Sequence, residues 1–252
     1  MDNIVDASIF VQCIALTLHP HTSPRRGALN LAEIETQAAS RKGGPKALKA
    51  LLPEVKPAAE LRAIPDDRWL AAMTRGIFQS GFSWKVIDAK WPGFEAAFHG
   101  FDPGRNALMS DEELDALTRD ARIVRNAQKI ATVRENAGFL LDLAREHGSA
   151  AACFADWPND DFAGLLALLK KRASRMGGNT GSYMLRTMGR DSFVLTRDVT
   201  AALIREGVID KAPGGAKAMA AVQAAFNAWA AESGHSLAAI SRILALSTGD
   251  PE

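Results

Sequence analysis

The chain has 252 residues, 47% hydrophobic and 23% charged, with a formal net charge of +1. That length and apolar content exclude intrinsic disorder and point to one large domain or two small lobes sharing a core. The near-neutral balance excludes a uniformly basic surface, so binding to a polyanion requires an uneven distribution of charge. Cys13 and Cys153, the two cysteines of the sequence, are too few for a disulfide framework and point to a reducing, cytoplasmic setting. Residues 4–18 are apolar but shorter than a membrane span, and no basic segment precedes them as in a signal peptide, so no membrane association is expected.

Residues 1–28 look unlike the remainder of the chain and read as a loosely attached tail. Residues 29–64, punctuated by Lys42-Gly43-Gly44-Pro45 and by the run from Pro53 to Pro65, read as an N-terminal helical extension crossing the main body of residues 65–252. Pro65 and Asp66-Asp67 open an apolar-periodic helix from Trp69 to Phe78 that ends near Gly81. Ser83 is placed to cap a short helix from Trp84 to about Trp91, with Pro92-Gly93 as its stop. Ser110 and Glu113 form a capping box for a helix through Leu117. Asn126 to His147 is a long amphipathic helix closed by Gly148. Further helices are expected over Asp160–Ala173, Thr180–Met188, Thr196–Glu206, Ala216–Ser233 and Ser236–Leu246, the later ones rich in small alanines that permit close packing. No segment has the sustained period-two alternation of a strand, so the fold class is all-α.

Charge is distributed unevenly. Between Lys170 and Arg205 lie eight basic residues (Lys170, Lys171, Arg172, Arg175, Arg186, Arg190, Arg197, Arg205) against Asp191 and Asp198. Between Arg119 and Arg134 lie five (Arg119, Arg122, Arg125, Lys129, Arg134) against Asp120. Such runs serve either as solvated helix faces or as an anion-binding surface. Within the first run, Met176-Gly177-Gly178-Asn179-Thr180-Gly181-Ser182-Tyr183 separates two helices. Gly177 and Gly178 suit a tight hairpin that presents backbone N–H groups to a phosphate, and Thr180 suits a cap of the second helix or a phosphate donor. Arg175 and Lys171 supply positive charge beside it. A Gly-Gly pair alone would equally make a plain interhelical turn.

Phe78-Gln79-Ser80-Gly81-Phe82-Ser83-Trp84 and Phe98-His99-Gly100-Phe101-Asp102-Pro103 resemble the paired motifs of the 3-methyladenine DNA glycosylase I family, in the helix-hairpin-helix DNA glycosylase superfamily. Ala121-x-Ile123-Val124-Arg125-x-x-x-Lys129-Ile130 and the run from Lys171-Arg172 through Gly178-x-Thr180-x-x-Tyr183 to Gly189 are similar to family segments as well. The likeness covers about Trp69 to Asp210. It implies a helix-hairpin-helix fold of two helical lobes with a DNA cleft between them. The implied activity is monofunctional hydrolysis of the N-glycosidic bond of alkylated purines, chiefly 3-methyladenine, in base excision repair. The alternative is a non-catalytic lesion-recognition protein. The expected partner is double-stranded DNA containing alkylated bases, with no cofactor, no metal and a monomeric state.

The resemblance also assigns roles. Gly81 and Phe82 stand at the wedge that fills the gap left by an extruded nucleotide. Trp84, with Phe78 and Gln79, stands at the base pocket, where an indole face attracts a cationic base by about 0.5–2 kcal/mol that ordinary adenine lacks. By composition alone Trp84 and Phe82 would serve as core. Three departures accompany the likeness. Gly76 stands where the family carries a Glu three residues before the Gln, so that carboxylate's role has no bearer here. The superfamily's Asp downstream of the hairpin falls near Thr196, which makes Asp198 the candidate catalytic acid, although it also reads as an ordinary helix-start carboxylate. Asn179 stands in place of the Schiff-base Lys of bifunctional enzymes, so lyase activity is not expected. The N-terminal pocket wall and the zinc ligands of the family are absent, and Cys13, His19 and His21 fit no familiar zinc spacing.

Overall fold

The computed structural model describes residues 30–248. The tail over 1–28, with Cys13, His19 and His21, lies outside the described residues. Among those described, the secondary structure is helical throughout, without strands. The helices are α1 (Leu31–Arg41), α2 (Pro45–Ala50), α3 (Ala58–Arg62), α4 (Asp66–Gln79), α5 (Trp84–Ala97), α6 (Pro103–Ala107) and α7 (Asp111–Leu117). They continue with α8 (Ala127–His147), α9 (Ala150–Asp156), α10 (Phe162–Arg172), α11 (Asn179–Thr187), α12 (Arg197–Arg205), α13 (Ala216–Ser233) and α14 (Leu237–Leu246).

Capping chemistry sets most of the boundaries. Ser110 and Glu113 form the reciprocal box that opens α7, and Asn126 accepts from the Lys129 N–H to open α8, which closes on Gly148. Asn30 and Glu33 form a second capping box on α1. Each such cap satisfies orphan N–H groups and is worth roughly 1 kcal/mol.

One stop signal fails. α5 runs through Pro92 to Ala97 instead of ending at Trp91. An interior proline costs about 3 kcal/mol, but the turns beyond it bury Phe94 and deliver the fully buried Phe98, each worth roughly 1.5–3 kcal/mol. Trp91, Phe94, Phe98 and Phe101 form a ladder with ring centroids 5.3–6.1 Å apart. Gly93 lets the backbone of this helix touch Arg122, since a Cβ there would lie 2.4 Å from the Arg122 carbonyl oxygen. Tertiary packing therefore carries the helix past the proline.

α8 is the central helix, packed by α4, α6, α7 and α9, while α12 and α13 gather on α14. The two groups share a continuous buried core. α1 rests on α13 and α14, and α3 on α9, so residues 30–64 are built into both groups. Asp191 ties the C-terminal group to the rest: its carboxylate accepts the Leu237 and Ala238 N–H groups at 3.2 and 2.9 Å, capping α14. Next to it, the buried Arg190 donates to the carbonyls of Phe154 and Trp157.

Candidate functional site

A groove of about 710 Å³ opens between α4 and α5 on one side and α11 on the other. Gln79 and Ser80 from the end of α4, Trp84 and Trp91 from α5, and Thr180 and Tyr183 from α11 line it. Trp84 is 59% exposed. An indole left that open on a protein with a large core is an unpaid hydrophobic surface unless something stacks on it. Phe78, assigned with it to the base pocket, is instead fully buried and meets Phe94 edge-on at 4.8 Å. It adjoins Gln79 in sequence, but successive residues of a helix point about 100° apart, so one faces the core and the other the groove.

The turn after α4 is held from beneath by a buried lysine. Lys129 Nζ donates to the carbonyl oxygens of Ile77 at 2.8 Å, Phe78 at 3.3 Å and Ser80. Those are the orphan acceptors of the α4 C-terminus, where a cation is also favoured by the helix dipole. The same ammonium lies 4.7 Å from the Phe82 ring centroid. Burial, and secondarily the charge of Arg175, lowers the Lys129 pKa from its ordinary value. Gly81 takes φ +81° and Phe82 is 40% exposed, so both stand on an open turn whose base is fixed. In the sequence Lys129 is one charge in a run and one residue of a family-like segment, and neither reading holds a sign of burial.

The hairpin joins α10 to α11. Gly178 adopts φ +60°, ψ −140° as the N-cap of α11, a region open in practice to glycine alone. Thr180 is therefore inside the helix and not its cap. Gly178 has no side chain to offer, so the first-turn N–H groups of α11 lack a capping side chain, the arrangement that receives an anion. Asn136 on α8 clamps the hairpin by bonding the Ser174 N–H at 2.8 Å and the Ser174 carbonyl at 3.1 Å. Arg175, in the left-handed region at φ +57°, bonds Gln128 at 2.7 Å.

The basic runs do not form one face. Arg190 is buried, Arg172 is held bidentate by Glu146, and Arg205 pairs with Glu206. Arg119, Arg122 and Arg134 pair with Asp115, Asp120 and Asp111. Lys170, Lys171 and Arg175 are exposed around the hairpin. Asp198 is exposed in the first turn of α12 and is not among the residues lining the groove. The segment before α12 meets the groove's edge, where the Leu195 carbonyl accepts from Asn179 at 2.9 Å, and α12 begins beyond it. A larger cavity of about 830 Å³ lies between α10 and α13, with Asn179 on the ridge between the two hollows. It contains neither Trp84 nor Gln79.

The family model described as methyladenine glycosylase matches residues 64–163. DNA-3-methyladenine glycosylase 1 of Escherichia coli is 37% identical over 65 residues, 26% of this chain and 35% of that protein. DNA-3-methyladenine glycosylase of Haemophilus influenzae is 32% identical over 59 residues, 23% of this chain and 32% of that protein. Over residues 64–163 the chain is similar to the methyladenine glycosylase family. The matched stretches span about a third of the length of these curated relatives. Among solved structures, 3-methyladenine DNA glycosylase I from Staphylococcus aureus is similar at 19% identity and a TM-score of 0.46, covering 62% of this chain and 91% of that one. The matched stretch holds α4, α5 and α8, and hence the Trp84 turn with its Lys129 anchor. The hairpin lies beyond it. No helix among the described residues is long and apolar enough to cross a membrane.

Proposed function

We propose that this protein is a monofunctional DNA glycosylase that flips 3-methyladenine out of duplex DNA and hydrolyses its N-glycosidic bond, acting as a monomer in base excision repair. The observation that carries this reading is the open face of Trp84, in a groove whose opposite wall begins at an uncapped helix N-terminus. A flipped purine stacks on the indole while α11 and the exposed Lys170, Lys171 and Arg175 take up phosphates. The lesion is cationic, so its glycosidic bond breaks to release a neutral base, and no acid is needed to protonate the leaving group. The indole adds a cation–π preference of roughly 0.5–2 kcal/mol for the charged base.

The test is release of free 3-methyladenine from methylated duplex DNA under multiple-turnover conditions, with Trp84→Ala alongside. Steady release that the substitution abolishes, without a change in thermal stability beyond about 0.5 kcal/mol for so exposed a side chain, is the expected result. Cleavage of neutral hypoxanthine at a comparable rate would contradict the reliance on a labile cationic base. Gly76, where the family carries a Glu, favours a second reading, a lesion reader without turnover. Tight binding to methylated duplex with no base released would decide for it.

A further inference from the structure

Asp88 is the carboxylate of the groove: among the described residues that line it, no other Asp or Glu is present. It comes four positions after Trp84 on α5, so the two side chains share a face, with Cβ atoms roughly 5–6 Å apart. Its side chain is 55% exposed, and its nearest cation, Arg75 Nη1, stands 3.7 Å away, beyond hydrogen-bond range. Arg75 is meanwhile stacked over Trp91 at 4.1 Å. The carboxylate oxygens of Asp88 are thus close to a positive charge without being sequestered by it. Across the groove, a Cβ built on Gly76 would touch Thr180 at 3.6 Å, an ordinary contact, so the empty family position is not forced by a backbone clash.

We propose that Asp88 supplies from α5 the negative charge that the family places on α4 at position 76. The inference rests on the glycosylase reading above. As the C1′–N9 bond breaks, its electron pair leaves with the base, which becomes neutral, and positive charge collects on the sugar. Asp88 stands against that charge. A water oxygen then bonds to C1′, and the proton it sheds passes to the Asp88 carboxylate and on to solvent.

The experiment uses the full chain, wild type and Asp88→Asn, with two readouts. The first is single-turnover release of 3-methyladenine. The second is affinity for duplex DNA carrying an abasic analogue, either a pyrrolidine whose ring nitrogen is protonated or a neutral tetrahydrofuran. The wild type should prefer the cationic analogue by on the order of tenfold, and Asp88→Asn should lose that preference while slowing release by about a hundredfold or more. Asp88→Glu should restore the preference in part. Wild-type release with Asp88→Asn unchanged in both readouts overturns the assignment and leaves the glycosylase reading standing. A wild type that releases nothing, yet shows a cationic preference that Asp88→Asn removes, overturns the glycosylase reading and keeps Asp88 opposite the cation. Because Asp88 is exposed, the substitution should leave the melting temperature in place, and equal melting of the two proteins is the control for folding.

Discussion

Replacing Lys129 with methionine tests whether the turn that carries Gly81, Phe82 and Trp84 is organised from below. Methionine keeps most of the aliphatic stem and so avoids a cavity, leaving the loss of the ammonium as the main change. The wild-type Nζ bonds Ile77 O at 2.8 Å and also Ser80 O, with Phe78 O at a longer 3.3 Å. A hydrogen bond to a charged group contributes about 1.5–3 kcal/mol net, so two good bonds and one weak one give roughly 4–6 kcal/mol. The three bonds share one ammonium, whose burial is the largest cause of its lowered pKa, so their contributions are less than additive. The net expectation is a loss of about 2–4 kcal/mol, out of a typical total of 5–15 kcal/mol. The protein should therefore remain folded at 25 °C while the turn loosens.

Urea unfolding followed by tryptophan fluorescence measures the first effect, and amide hydrogen exchange over residues 79–84 the second. The expected pattern is a lower midpoint at unchanged slope, faster exchange in that segment, and a loss of 3-methyladenine release larger than the unfolded fraction explains. A Lys129→Met protein within 0.5 kcal/mol of wild type, with unchanged exchange at 79–84, would refute the anchoring role.

Gly178→Ala should cost about 1–3 kcal/mol in thermal unfolding and weaken duplex binding, because φ +60°, ψ −140° strains any residue with a Cβ although no atom lies within 4 Å of the added carbon. Gly177→Ala, whose Cβ meets only Lys170 Cγ at 3.5 Å, should stay within about 0.5 kcal/mol. Equal effects of the two would show that the hairpin tolerates other torsions. Glu95→Gln should flatten the acid limb of the stability profile. Burial pushes the Glu95 carboxyl up, but the hydrogen bond and charge of Arg68, with Trp91 and Arg75, hold it below its ordinary value of 4.5. The stability that this depressed carboxylate contributes is present above the unfolded value and is lost as pH falls through the lower folded one. Melting temperatures between about pH 3 and 6 should then fall more steeply in wild type than in the variant, and parallel curves would contradict the coupling.

Much of the helix layout was legible because caps are local. Ser110–Glu113 and Asn126 with Gly148 stand where capping within four residues puts them, and the run from Ala216 to Ser233 is bounded by Gly215 and the left-handed Gly234. Pro92 misled because its local cost is outweighed by partners distant in sequence, the aromatic ladder and Arg122. Phe78 and Asp198 fall outside the groove lining for a geometric reason. A motif gives neighbours along the chain, whereas membership in a groove depends on which way each side chain points from its helix and where the connecting segment turns. Lys129 shows the limit of counting charges, since a lysine whose ammonium is spent on three carbonyls inside the fold is not free to meet a phosphate. Asp88 lies one helical turn from Trp84, a relation readable from spacing, but only the placement of α11 makes that face the wall of a groove.

The contact between Thr180 and Gly76 joins the two halves of the site. Thr180 lies in the first turn of α11, beside the hairpin, and Gly76 lies in α4, one turn before the groove residue Gln79. Because Thr180 Cγ2 would stand 3.6 Å from a Cβ at position 76, α11 settles onto α4 where a longer side chain would have to pass it. A glutamate at 76 would share that space with the start of α11, and on the proposed glycosylase reading would set the spacing between the hairpin and the base pocket. With glycine there, α11 approaches α4 closely, and the groove's carboxylate is left to α5, on the same helix face as the indole. Negative charge and aromatic face then move as one rigid unit, which is the arrangement that favours a base already carrying its own positive charge.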